Sequence, residues 1–381
     1  MNIVHHLHVL NLTISTLFIL VTYFLSHQRN HASMQHLHHL PPETWSDQDS
    51  NITYHVKMML QSEEPRSREE SAKAVYNLLA SDPENAELKA KVVAAGVIPP
   101  LVALLGSRTL SHDAKISATG ALCILSYNAD NKIKIAAAGA IPPLVALLGP
   151  QSPAGVQESA AGALRNLSSN TDNQVKIAEA GAIPQLVALL GPQSPAGVQQ
   201  SASGALKNLS SNTDNQVKIA AAVAIPPLVA LLGPQNPAVV QGNAAVALWN
   251  LCRNAENIIK IAAAGAIPPL VALLGLQSPA GVQGSAALAL KVLSSNTDNQ
   301  VKIAAAGAIP HLVALLGPHS SAEVQKVAIG ALHFIAFNNA DNCVTIQSVG
   351  GVSALNQLLS STNEGVRRIS KEVLDYLVHG G

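Results

Sequence analysis

The chain is short of charge. Only 12% of its 381 residues are Asp, Glu, Lys or Arg, about half the share usual in a globular protein. Basic and acidic side chains stand at 23 each, so the formal net charge is zero. That balance gives no electrostatic footprint for gripping a nucleic-acid backbone and no polybasic patch for an anionic membrane. Cysteine is nearly absent. Cys123, Cys252 and Cys343 lie far apart and none belongs to a Cys-x-x-Cys pair, which fits neither a disulfide framework nor a thiolate metal site and suits a reducing compartment. Aromatic residues make up 3%. The common catalytic motifs are missing as well: there is no Gly-x-Ser-x-Gly, phosphate-binding loop or His-Glu-x-x-His. No catalytic residue, cofactor, metal or small-molecule substrate is therefore expected. With 48% hydrophobic residues, a mainly disordered chain is excluded too.

What the chain has in abundance is repetition. The string Ala-Gly-Ala-Ile-Pro-Pro-Leu-Val-Ala-Leu-Leu-Gly recurs with small changes, its first glycine falling at Gly139, Gly181, Gly265 and Gly307, and Val223 takes that place in the copy between. The period is 42 residues. Weaker copies at Gly96 and Gly350 are each one residue out of register. Such a period signals one stacked array rather than separate domains, here of about seven units over residues 66–381.

Each unit reads as three helices. In the unit near residue 170, Asp172 is the expected N-cap of a short helix that stops at Gly181. Ile183-Pro184 opens a second helix, with proline at its first position, and Gly191 ends it. Ser194-Pro195 starts a third, and the same pair of capping residue and proline recurs at Ser152-Pro153, Asn236-Pro237 and Ser278-Pro279. No strand-like alternation separates them. On the third helix Val156, Ala160, Ala163, Leu164 and Leu167 form one apolar stripe, which a single unit cannot bury alone. The last third helix carries Arg367, Arg368, Lys371, Glu372 and Asp375, a polar face suited to a terminal cap.

Three helices per 42 residues and the recurrent text Glu/Asp-Asn-Gln…Ala-Gly-Ala-Ile-Pro-x-Leu-Val-x-Leu-Leu…Val-Gln…Ala-Leu-x-Asn-Leu resemble the armadillo family. The chain looks most like the vacuolar-type armadillo adaptors and the armadillo arrays of plant-type U-box ubiquitin ligases, although no U-box is visible. The resemblance covers about four fifths of the chain. It implies an all-α, right-handed superhelix whose third helices line a concave groove for extended peptides or partner proteins.

In the nuclear-import members of that family, a Trp and an Asn four residues later contact the peptide. Here the Trp position holds Gly120, Gly162, Gly204, Val246, Leu288 and Gly330, and the Asn position holds Ile124, Asn166, Asn208, Asn250, Val292 and Phe334. The resemblance thus implies a ladder of three asparagines that grips a backbone, without aromatic walls for basic side chains, and argues against nuclear import. One residue earlier stands a second ladder: Cys123, Arg165, Lys207, Trp249, Lys291 and His333. Arg165, Lys207 and Lys291 read either as a solvated face or as a mildly basic rim for acidic or phosphorylated partners. Trp249 reads as a binding anchor or as interhelical packing, and the asparagines as groove residues or as hydrogen-bonded ties to a neighbouring carbonyl. A lysine ladder (Lys134, Lys176, Lys218, Lys260, Lys302) sits near the ends of the first helices, where a cation offsets the macrodipole.

Residues 1–33 contain an apolar segment at 9–25, near the lower limit for a membrane span. A transmembrane anchor, a cleaved signal and translation starting at Met34 are the competing readings. As an anchor it leaves the array on the cytoplasmic face of a membrane, since Arg29 is the only nearby basic residue; a soluble cytoplasmic protein is the alternative. Residues 34–65 read as a His-rich tether. The expected function is a non-enzymatic scaffold that binds other proteins, with extended or acidic segments favoured. Its rivals are a substrate-recognition module of a ubiquitin-ligase pathway and a structural spacer with no groove in use.

Overall fold

The computed structural model describes residues 48–107 and 109–379. The chain divides into two compact units, residues 1–54 and 55–381. Only 48–54 of the first are described, as the opening turns of α1 (Gln48–Gln61). The segment 9–25 and the histidine-rich stretch before residue 40 lie outside the described residues. Residues 48–61, which fall in the expected tether, are helical, and their Val56 and Met59 are buried. Among the described residues no single helix is long and apolar enough to cross a membrane.

All 23 regular elements among the described residues are helices. After α1 and α2 (Pro65–Ser81) come seven three-helix units, α3–α5 through α21–α23. The third helices are α5 (His112–Leu125), α8 (Ala154–Leu167), α11 (Ala196–Leu209), α14 (Ala238–Leu251), α17 (Ala280–Leu293), α20 (Ala322–Ala336) and α23 (Glu364–His379). With α2 they pack in chain order, each against the next, as one continuous layer. Val156, Ala160, Ala163, Leu164 and Leu167 are fully buried, as are their equivalents Val198, Ala202, Ala205, Leu206 and Leu209. Burying one such leucine contributes roughly 1.5–3 kcal/mol, while the alanines let adjacent helices approach closely. On α23, Arg367, Arg368, Lys371, Glu372 and Asp375 are all exposed.

The helix starts differ from the sequence reading. In α9 (Thr171–Glu179) the N-cap is Asn170, not Asp172: Asn170 is extended and its side chain accepts from the Asn173 amide at 3.0 Å. Asp172 lies within the first turn, where its carboxylate meets the positive helix end. Asn173 in turn donates to the Leu167 carbonyl at 3.3 Å, and Asn131, Asn257, Asn299 and Asn342 make equivalent bonds at 2.8–3.1 Å. These amides satisfy carbonyls that every helix end leaves open.

The third helices are not capped by Ser152, Ser194, Asn236 or Ser278. Pro153, Pro195, Pro237 and Pro279 hold the N-cap position, with φ near −58° and ψ near 150°. The locked proline ring already supplies the extended backbone that a cap needs, and it pushes the polar residue one place outward. Serine caps only where no proline follows: Ser111 accepts from Ala114 at 3.2 Å and Ser321 from Val324 at 3.4 Å. In α10 (Ala182–Ala188), Pro184 lies at the third helical position rather than the first, still within the turn whose amides need no intrahelical partner.

Candidate functional site

The exposed arc of the third helix recurs at the same positions in six consecutive units, α5 to α20. Cys123, Arg165, Lys207, Trp249, Lys291 and His333 are all half-buried along it, so the layer of third helices brings the predicted rung residues onto one surface. A side chain added to the glycine of the next helix would press on the rung before it, tightly at two positions and into a clash at Gly204. A Cβ on Gly162 would stand 3.1 Å from Cys123 Sγ, one on Gly204 2.6 Å from Arg165 Cδ, and one on Gly330 3.3 Å from Lys291 Nζ. The glycines at the family's Trp positions therefore form a floor on which the rung side chains lie.

The same geometry adds two rungs that the sequence reading missed. A Cβ on Gly120 would meet the Tyr76 ring at 2.5 Å, and Tyr376 stacks on His333 with ring centroids 5.4 Å apart. Tyr76 and Tyr376 close the ladder at its two ends. Their signal was hidden because the end units depart from the 42-residue spacing.

The three asparagines point their amide hydrogens into the protein. Asn166 Nδ2 donates to the Cys123 carbonyl at 3.2 Å and to Ser126 Oγ at 3.1 Å. Asn208 Nδ2 donates to the Arg165 carbonyl at 2.9 Å. Asn250 Nδ2 donates to Ser210 Oγ at 3.0 Å and, more weakly, to the Lys207 carbonyl at 3.5 Å. Each asparagine thus ties its helix to the end of the preceding third helix. The side-chain oxygen of Asn166 accepts from Arg165 Nε at 3.4 Å, and Asn166 and Asn250 are themselves buried, so the ties between helices account for most of what these amides do.

The rim around them is cationic. Arg165, Lys207, Arg253 and Lys291 have no carboxylate at ion-pair distance among the described residues, whereas Lys260, Lys326 and Arg368 do. Arg165 is held in place, with Nε 3.4 Å from Asn166 Oδ1 and Nη2 3.4 Å from Tyr127 Oη. Lys291 Nζ lies 5.2 Å from the centre of the Phe334 ring, within cation–π range. Burial pushes the Cys123 thiol up to about 11, with Arg165 pulling it down and the exposed Glu158 carboxylate of the same helix as Arg165 pushing it further up, so the rim also carries one acidic group. Burial lowers His333, with Glu372 opposing.

The rings are concentrated here. Residues 55–379 contain six Phe, Tyr or Trp side chains: Tyr76, Tyr127, Trp249, Phe334, Phe337 and Tyr376. Five lie on a third helix or within two residues of its end, Tyr76 lies on α2 in the same packed layer, and none of the six is buried. The core is aliphatic throughout.

Comparison with known proteins identifies the array. The Armadillo/beta-catenin-like repeat family matches residues 128–169, 170–211, 212–253 and 296–336. A designed armadillo repeat protein, YIII(Dq)4CqI, is 33% identical over 62% of this chain and 99% of its own, with a TM-score of 0.57. The chain belongs to the armadillo repeat family. A second designed armadillo protein, solved in complex with the peptide (KR)4, is 34% identical over 62% of this chain and 99% of its own, with a TM-score of 0.55. A third, designed for modular peptide recognition, is 29% identical over 63% and 99%, with a TM-score of 0.56. No curated protein matches. The armadillo unit at 254–295 falls between matched repeats yet folds into the same three helices, α15–α17.

Proposed function

We propose that this armadillo protein is a non-enzymatic scaffold that takes an extended segment of a partner protein along its third-helix face, and that the segment is acidic. The observation that carries the reading is that none of the six rings in residues 55–379 lies in the core: five stand on a third helix or just past its end, and Tyr76 stands on α2 in the same layer. Aromatic side chains are the most valuable core filler available, and half-exposed rings beside arginine are the usual composition of binding anchors. Acidity follows from Arg165, Lys207, Arg253 and Lys291, which have no carboxylate at ion-pair distance among the described residues. The designed relative solved with (KR)4 shows that the fold accommodates a charged peptide; the cationic rungs here favour the opposite sign. Residues 9–25 would hold the array at the cytosolic face of a membrane, a reading that rests on their sequence alone.

The test is crosslinked affinity capture with mass spectrometry, comparing the native chain with an Arg165→Glu/Lys207→Glu variant of unchanged melting temperature. Loss of the same acidic partners from the variant supports the groove. Identical partner sets sink it. Substituting the asparagines is a poorer choice, because their amides hold the helices together.

A further inference from the structure

The C-terminal end of the face differs from the rest. Phe334 and Phe337 are 41% and 50% exposed, and Tyr376 lies beside them, with ring centroids of Phe337 and Tyr376 6.0 Å apart. The platform is fixed from beneath. Gln300 Nε2 donates to the carbonyls of both Phe334 (3.0 Å) and Phe337 (3.1 Å), and Tyr376 Oη accepts from the Asn338 amide at 2.8 Å. Gln300 is buried; like Gln174 and Gln216 at the same repeat position, which donate to the Ser168 and Ser210 carbonyls at 2.9 and 3.0 Å, it ties down a helix end, here the one that carries both phenylalanines. Exposed rings held rigid lose little freedom when a ligand arrives.

Lys291 adds a sign: its ammonium stands over Phe334, at the border between rings and cations. From Arg165 on α8 to Phe334 on α20 there are four helix spacings. At about 8–10 Å each they span roughly 32–40 Å, the reach of about ten extended residues.

We propose that Phe334, Phe337 and Tyr376 form an anchor site for an aromatic or branched apolar side chain of the same bound segment whose carboxylates meet Arg165 and Lys207. The ligand is bipartite: an acidic run, about ten residues, then an apolar anchor flanked by a carboxylate for Lys291. This rests on the groove reading above and narrows it. Joining the two contacts in one chain raises affinity through effective concentration, provided that the linker can span them.

The experiment uses the full chain and fluorescein-labelled peptides in anisotropy titrations. One peptide carries four glutamates, a ten-residue Gly/Ser spacer and Trp-Leu-Glu, made in both orders along the chain. Others carry the glutamates alone, the anchor alone, or a three-residue spacer. The bipartite peptide in one order should bind at least tenfold more tightly than the acidic peptide. Phe334→Ala/Phe337→Ala should erase that gain while leaving the acidic peptide unchanged, and the short spacer should lose it too. Because both phenylalanines are exposed, the double variant should keep its melting temperature; should it fall, Phe337→Ser alone serves. Acidic binding that Arg165→Glu abolishes, with no gain from the anchor, overturns this proposal and spares the groove. Absence of binding by every peptide overturns both.

Discussion

Arg165 lies across Gly204 of the next repeat, so close that a methyl group on the glycine would stand 2.6 Å from Cδ of the arginine. The glycine is therefore what lets the arginine stem lie flat against α11. Gly204→Ala should move Arg165 away while improving the helix propensity of α11 by about 1 kcal/mol. The expected outcome is an equal or higher melting temperature together with several-fold weaker binding of an acidic peptide. Calorimetry and anisotropy on the same sample check the two halves, and unaltered binding would show that the arginine's position does not matter.

Val223 stands where the other repeats have Gly139, Gly181, Gly265 and Gly307, and its φ is +58° against +79° to +83° for the glycines. A β-branched residue in that region is strained by roughly 1–2 kcal/mol, and Val223 is 65% exposed, so its side chain gains little from packing. Val223→Gly should stabilise the protein by about 1 kcal/mol once the lost chain rigidity is counted. A denaturant midpoint that moves downward would refute this.

Asn208 supplies a test of the inter-repeat ties. Asn208→Ala removes the donor to the Arg165 carbonyl and should cost about 1–2 kcal/mol. Asn208→Asp should cost more, since a carboxylate would then face a carbonyl oxygen. Urea unfolding of the pair checks the order, and an aspartate variant as stable as the native chain would remove the tie from the account.

His55 gives the pH dependence. Burial lowers its pKa to about 4, with Ser71 Oγ 3.4 Å from Nδ1. The folded chain thus resists the proton that the unfolded chain takes up near pH 6.5. Stability should be full above pH 6.5 and fall as the pH drops toward 4, by at most about 3 kcal/mol. His55→Gln should flatten that slope. In a repeat array the loss need not spread, so hydrogen exchange in α1 and α2 is the sharper readout.

Much of this was written in the sequence because each unit repeats the same constraints. Helix number, the stripe from Val156 to Leu167 and the rungs from Cys123 to His333 all follow from the period. The errors came where two local preferences compete for one place. Ser194 and Pro195 both suit a helix start, and the proline takes it because its φ is fixed by covalent geometry. Asn170 and Asp172 both cap well, and the asparagine that is already extended wins. The direction of the Asn166, Asn208 and Asn250 amides was not legible, because it depends on where the preceding helix ends in space. Tyr76 and Tyr376 escaped for a simpler reason: spacing was the guide, and the end units break it.

The all-aliphatic interior has an optical consequence. Within residues 55–379 no Phe, Tyr or Trp ring reports on the core, so near-ultraviolet dichroism and tryptophan emission from this part of the chain are signals of the third-helix face. A Trp45→Phe variant would leave Trp249 as the sole indole, placed among the cationic rungs. Far-ultraviolet dichroism would then follow folding and indole emission would follow occupancy, two processes read at separate wavelengths from one unlabelled protein.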